Sequence, residues 1–252
     1  MTFRNGSHDA RYDEIKSLIE DVMDRAPIVP SFQDFSNLLK EIIVLHNYKS
    51  VCDIGGGRNP CFSVETIQDM NLDYYIVDTS KRELELANSR YKKIHSPIED
   101  LYDKNKFDIM FSSMVFEHII DNEKSYKRIY QLLKNNGLCI NFYPTLFSTP
   151  FILNKLLPDW LAYCVLWCFF PGARRGRHTK FPAYYSLCRA SRAVESRIQA
   201  VGFSKVMIFP IYGHGYYQRI PIIHKMQMMF ANLCKKKDIR FFSSYCFTVV
   251  IK

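Results

Sequence analysis

Five short apolar runs, at 50–54, 74–78, 92–95, 107–112 and 138–143, alternate with stretches of helical periodicity at 63–70, 81–89 and 122–133. Strands joined through helices need crossover connections, and these lay successive strands parallel and cover both faces of the sheet. The runs are nearly continuous in apolar residues, as expected of strands buried on both faces. Upstream, 9–25 and 32–46 place Ile15, Leu18, Ile19 and Val22, then Leu38, Leu39, Ile42 and Ile43, at helical spacing, with Pro27 and Pro30 between them. Asn135-Asn136-Gly137 reads as the stop signal of the 122–133 helix. After Pro144 the rhythm breaks, then resumes with a helix at 191–201, a strand at 203–209, a helix at 221–235 and a strand at 244–251. The pattern predicts one α/β domain with an insertion between its fifth and sixth strands.

A chain of 252 residues, 48% of them apolar and 23% charged, suits one packed domain of this kind and excludes wholesale disorder. Eight cysteines without a C-x-x-C pair fit scattered reduced thiols better than a disulfide framework or a zinc site. With a polar, charged beginning, they predict a cytoplasmic protein. No His/Cys/acid grouping has metal-ligand spacing. The net charge of +9 is uneven. Residues 1–146 carry 18 Lys+Arg against 22 Asp+Glu, a balance of −4, whereas 147–252 carry 16 against 3, a balance of +13. A basic C-terminal half points to an anionic partner: phosphate, nucleic acid or an anionic membrane.

The first strand runs directly into Gly55-Gly56-Gly57, with Asp53 just before them. Glycine lets a loop turn sharply and brings backbone close to a ligand. No Lys-Ser/Thr follows, which excludes a nucleoside-triphosphate P-loop. The second strand ends in Asp78, twenty-one residues beyond Gly57. In a doubly wound sheet that carboxylate lies beside the glycine loop, where it accepts from ribose hydroxyls. Thr79 follows, then Ser80, a helix cap ahead of Leu84 and Ala87.

These pieces, with Glu99-Asp100-Leu101, the 107–113 run FDIMFSS, Glu117-His118 and Leu132-Leu133-Lys134-x-x-Gly137, make residues 48–145 resemble the class I S-adenosylmethionine (SAM)-dependent methyltransferases of the small-molecule superfamily. The resemblance implies a Rossmann-like, seven-stranded, mostly parallel sheet with helices on both faces and an antiparallel last strand. It also implies SAM as cofactor. Gly55 and Gly57 would border its methionine part, and Asp53 would orient the loop or meet the ammonium group. Asp78, with Thr79 beside it, would bind the ribose, Ile98 would offer backbone to the adenine, and Ser113 would close the pocket near the sulfonium. Two positions depart from the family pattern: Asn59 stands at the third small position of the loop, and Pro97 where an acid often meets the adenine amino group. A dehydrogenase, the rival for a glycine loop plus acid, is disfavoured by Glu117-His118 and by the Leu-Leu-Lys-x-x-Gly stretch.

The organisation predicted is 1–47 as N-terminal helices, 48–146 as the cofactor-binding core, 147–190 as an apolar and basic insertion, and 191–252 as the completion of the sheet. His118 is the candidate general base, since the segment after the fourth strand opens near the methyl group. The other reading makes it a helix-start histidine paired with Glu117. On the acceptor side stand Arg174, Arg175, His178, Tyr184, Tyr185 and His214. Residues 160–170 (WLAYCVLWCFF), followed by Arg174, Arg175, Arg177, His178 and Lys180, read either as a helix in a membrane interface or as a lid over the site. Cys164 and Cys168 share one helix face there, a spacing more typical of core thiols. Tyr184-Tyr185 after Phe181-Pro182-Ala183 resembles methyltransferases of polysaccharide and lipid-modification pathways. The acceptor class predicted is a small molecule, a sugar or a lipid-linked group. RNA methylation and SAM binding without catalysis are the alternatives. Against RNA, no Asn/Asp-Pro-Pro-aromatic motif follows the fourth strand.

Overall fold

The computed structural model describes residues 5–26, 28–148 and 182–252, with positions 152, 156, 158, 160 and 161 between them. Its sheet has seven strands: β1 (Ser50–Ile54), β2 (Asp73–Asp78), β3 (Lys92–His95), β4 (Phe107–Ser113), β5 (Leu133–Pro144), β6 (Lys205–Ile211) and β7 (Tyr245–Ile251). They lie in the order β3-β2-β1-β4-β5-β7-β6. β1 to β5 pair in parallel, and β7 runs antiparallel to β5 on one side and to β6 on the other. The Rossmann-like sheet with its antiparallel last strand is therefore as the sequence resemblance implies.

The described helices are α1 (Asn5–Arg25), α2 (Phe32–Leu45), α3 (Val64–Asp69), α4 (Lys81–Leu86), α5 (Asn122–Leu132), α6 (Arg192–Gln199) and α7 (Pro221–Lys236). Strand periodicity sorts the core into two layers. On one face Val51, Ile76, Phe111, Ile140, Phe247 and Phe209 pack under Ile15, Ile19 and Val22 of α1 and Phe35, Leu38, Leu39, Ile42 and Ile43 of α2. On the other, Cys52, Val77, Met110, Cys139, Val250 and Ile208 pack with Tyr126 and Ile129 of α5 and Val194 and Ile198 of α6. α2 is started by a capping box: the Ser31 hydroxyl accepts from the Asp34 N–H at 3.1 Å, and the Ser31 N–H donates to the Asp34 carboxylate at 2.7 Å. At the opposite end of the sheet from the glycines, Asp108 accepts from the Lys49 N–H, the Ser50 N–H and the Ser50 hydroxyl, and pairs with Lys134 at 2.9 Å. Burial would raise its pKa, but the hydrogen bonds from Ser50, Lys134 and Lys49 hold it below the usual carboxylate value.

Several boundaries differ from the sequence reading, α1 beginning at Asn5 and β6 spanning Lys205–Ile211 among them, and two of the differences have a visible local cause. α5 ends at Leu132, and Asn135-Asn136-Gly137 lies within β5. There the ladder to β4 shifts from Phe107↔Leu133 to Ile109↔Leu138, and Asn136 adopts φ 64°. The turn signal is real, but β7 captures it: the Asn136 N–H donates to the Lys252 carbonyl, and the Lys252 N–H to that of Gly137. α4 stops at Leu86, short of residue 89, because Asn88 takes the Arg90 N–H onto its side-chain oxygen, a turn that competes with helix.

Candidate active site

β1 lies between β2 and β4, where the strand order reverses direction; in open α/β sheets ligands bind in the crevice beyond the strand ends at such a point. A cavity of about 570 Å³ opens there. One wall is the glycine loop, a second is Asp78, Thr79 and Ser80 at the tip of β2, and a third is Met114, Val115, His118 and Ile119 after β4. Ile98 and Glu99 close it from the turn beyond β3.

The loop owes its shape to two left-handed residues, Gly55 at φ +76° and Gly57 at φ +44°. A Cβ on Gly55 would stand 2.4 Å from Val115 Cγ2, and one on Gly57 would stand 3.1 Å from Asp78 Oδ2. The space where those side chains would be is the room in which loop, β2 tip and post-β4 turn meet. Asp53 does not line the cavity. Buried beneath the loop, it accepts from the Tyr74 hydroxyl at 2.5 Å and the Cys61 N–H at 2.8 Å. Burial raises its pKa to about 6 despite those two bonds. Asp78 is half-buried and accepts from the Ser80 N–H at 2.7 Å. Its pKa is raised by burial, against the pull of that bond. Its second oxygen faces the Gly57 side of the cavity. On the same rim Arg58 forms a two-pronged ion pair with Glu83, at 2.5 and 2.7 Å.

After β4 the chain turns through Met114, held at φ 57° with its N–H on the Phe142 carbonyl, into the Phe116–His118 turn. His118 Nδ1 lies 2.7 Å from the Pro182 carbonyl. A carbonyl only accepts, so this nitrogen carries a proton, and in the neutral imidazole Nε2 is the acceptor nitrogen. Nε2 stands 3.5 Å from Glu117 Oε1. Glu117 is buried, its Oε2 has no hydrogen-bond partner among the described residues, and burial lifts its pKa to about 8. It is thus a neutral carboxylic acid at neutral pH. The Glu117 backbone carbonyl accepts from the N–H groups of Tyr184 and Tyr185 at 2.7 and 3.2 Å, which ties residues 182–185 to this turn.

The structure therefore gathers Gly55, Gly57, Asp78, Thr79, Ile98 and His118 around one cavity, with Tyr184 and Tyr185 behind His118. Ser113 ends β4 and does not line the cavity. His214 is buried away from it, edge-on to Tyr217 at 4.8 Å, its Nδ1 without a partner among the described residues. Burial, then the neighbouring His224, lower its pKa to about 4, so it is neutral at neutral pH. Arg174, Arg175, Arg177, His178, Lys180, Cys164 and Cys168 lie outside the described residues, as does most of the 160–170 run. Sequence reasoning missed two things. Glu117 is a buried acid in its own right, signalled only by its place in the Glu-His pair. Tyr216 and Tyr245 lie near it: burial, then Glu117, raises the pKa of Tyr185, and burial, then Tyr216 with a smaller effect of Glu117, raises that of Tyr245, which Tyr216 bonds. Nothing in their local sequence marks them.

Residues 52–141 match a protein-family model described as a methyltransferase domain. Among solved structures the chain is similar to a SAM-dependent methyltransferase from Archaeoglobus fulgidus, at 14% identity and TM-score 0.54, over 88% of this chain and 95% of that one. It is similar to phosphoethanolamine N-methyltransferase 2 of Haemonchus contortus in complex with S-adenosyl-L-methionine, at 15% identity and TM-score 0.52, over 85% of this chain. It spans 52% of that longer protein. A Listeria monocytogenes protein assigned as an S-adenosylmethionine-dependent methyltransferase aligns over 96% of both chains, at 14% identity and TM-score 0.51. No curated protein sequence matches the chain.

Proposed function

We propose that this chain is a class I SAM-dependent methyltransferase, with residues 52–141 matching the methyltransferase-domain model, and that it methylates a small-molecule acceptor bound beside the Phe116–His118 turn and the Tyr184–Tyr185 segment tied to it. The observation that carries the reading is the shared cavity: the glycine loop and Asp78 on one side, His118 on the other.

SAM fits the residues present. The loop is a cradle that a Cβ would fill, and the acid at the β2 tip is half-buried and open to the cavity. Asp78 takes the ribose hydroxyls, Thr79 flanks it, the Ile98 backbone meets the adenine, and Gly55 and Gly57 lay their backbone along the methionine part. Asp53, lying under the loop rather than in the lining, acts by holding the loop in place. When bound, the sulfonium supplies an activated methyl group for in-line displacement by an acceptor lone pair. The protein's task is then alignment and exclusion of water. For a hydroxyl or ammonium acceptor a proton must leave, and the neutral His118 ring receives it at Nε2; the bond of its other nitrogen to the Pro182 carbonyl supports this reading. Tyr184 and Tyr185 border the acceptor. Arg174, Arg175 and His178 retain their sequence-based role on the same side, suited to a phosphate or a lipid-linked group, whereas His214, buried away from the cavity, takes no part.

An RNA acceptor would call for unpaired cations on the cavity rim. The described rim offers Arg58, already engaged by Glu83, beside the acidic Glu99, and this favours the small acceptor. The test is calorimetric titration of SAM into the protein and its Asp78→Ala variant. Loss of the ribose bonds to a charged acceptor weakens binding by about 1.5–3 kcal/mol. Unchanged affinity removes Asp78 from the site. S-adenosylhomocysteine release, assayed with sugar, lipid-headgroup and RNA acceptors, then separates the acceptor classes.

A further inference from the structure

α7 rests on the protein by its weaker side: of its sixteen residues only Ala231 and Cys234 are buried. Ile222, Met226, Met229 and Leu233 recur at helical spacing and form one stripe that faces outward. They are 75%, 66%, 65% and 47% exposed. Phe230 widens the stripe and meets Phe242 at 5.2 Å, which in turn stands edge-on to Phe241 at 5.0 Å. Phe241 stacks on Phe147 at 4.2 Å, so the patch adjoins the chain where it leaves β5. A contiguous apolar surface of this kind marks an interaction site.

Its charge says what covers it. α7 contains no acid. Lys225 and Lys236 flank the stripe on one side and Lys237 follows on the other, all three exposed and without a carboxylate at ion-pair distance among the described residues. Lys235, on the far side, is paired with Asp24 at 3.1 Å, and Arg240 with Asp238 at 3.0 Å. We propose that this face of α7 docks on an anionic lipid bilayer, with the Ile/Met/Leu/Phe stripe entering the acyl boundary and the three free lysines meeting the headgroups. An apolar face bordered by lysines is the pattern of a helix lying in a membrane interface. A second copy fits less well, because a two-fold contact through the same patch sets like lysines against one another. The chain's own residues 149–181 carry five cations against Asp159 alone, again the same sign. No helix among the described residues is long and apolar enough to cross a membrane, and α7 lies flat rather than spans. The inference is independent of the methyl acceptor.

Vesicle co-sedimentation tests it, using phosphatidylcholine alone and phosphatidylcholine doped with phosphatidylglycerol. The protein should bind the doped vesicles, and added salt should weaken binding. Met226→Glu with Met229→Glu, at exposed positions where folding loses little, should cut binding by about tenfold or more. Lys225→Glu with Lys236→Glu should cut it by about fivefold per lysine and flatten its salt dependence. SAM affinity, unchanged in both variants, shows that they are folded. Failure of the protein to bind doped vesicles overturns the proposal, as does equal binding by the methionine variant, which would move the contact to another surface. A sedimentation-equilibrium dimer abolished by the same two glutamates overturns it in favour of a second copy.

Discussion

Glu117→Gln isolates the cost of ionising the buried acid behind His118. The residue is 3% exposed, and burial pushes its carboxyl up to about 8 from an ordinary 4.5. Below 4.5 both folded and unfolded chains hold the proton, and the group adds no pH dependence. As pH rises past 4.5 the unfolded chain releases the proton while the folded one keeps it, so stability falls by about 1.4 kcal/mol per pH unit. The fall ends near pH 8, where the folded chain ionises too, and totals at most about 5 kcal/mol. Gln keeps the shape and a polar end but cannot ionise. Urea unfolding of both proteins from about pH 4 to about pH 9 should therefore show the variant gaining steadily on the parent through this window. Titrating groups remote from Glu117 are common to both and cancel in the difference, and a His118→Asn background removes the one neighbour, 3.5 Å away, that would not. Parallel stability profiles would refute the burial argument and with it the neutral carboxyl next to His118.

The remaining predictions concern the glycine loop and the acid beneath it. Gly55→Ala forces a side chain into φ +76° and onto Val115. Left-handed strain of about 1–2 kcal/mol adds to overpacking of about 1–3 kcal/mol, and displaced Val115 should lower SAM affinity; a variant with parent melting temperature and parent affinity would show that the loop relaxes freely. Tyr74→Phe removes the hydroxyl that favours ionised Asp53 and leaves that buried oxygen with the Cys61 N–H alone. It should cost about 1–3 kcal/mol above the Asp53 pKa of about 6 and clearly less near pH 4, where the acid is neutral. A penalty that does not vary with pH across this range would place the Tyr74 contribution in packing instead.

The architecture was legible in the chain because it rests on local periodicity. Strand residues alternate faces, helical residues recur every third or fourth position, and a glycine loop followed by an acid at the next strand's tip needs no knowledge of distant residues. Gly55, Gly57 and Asp78 were found that way. Ends of elements were less legible, since partners compete for the same signal: Asn136-Gly137 looks like a helix stop until β7 draws it into the ladder. Asp53 carries the right residue type, yet only the packing of Tyr74 and Cys61 against it sets it beneath the loop. Glu117 is one carboxyl among many in the sequence; its neutrality comes from burial that only the fold supplies, with Tyr184 and Tyr185 tied onto its turn from far along the chain. The same holds for α7. The spacing of Ile222, Met226, Met229 and Leu233 announces an apolar face, but periodicity is blind to what lies opposite. The docking of Ala231 and Cys234 turned that face away from the core, because a helix has two sides and only tertiary contacts choose which one is covered.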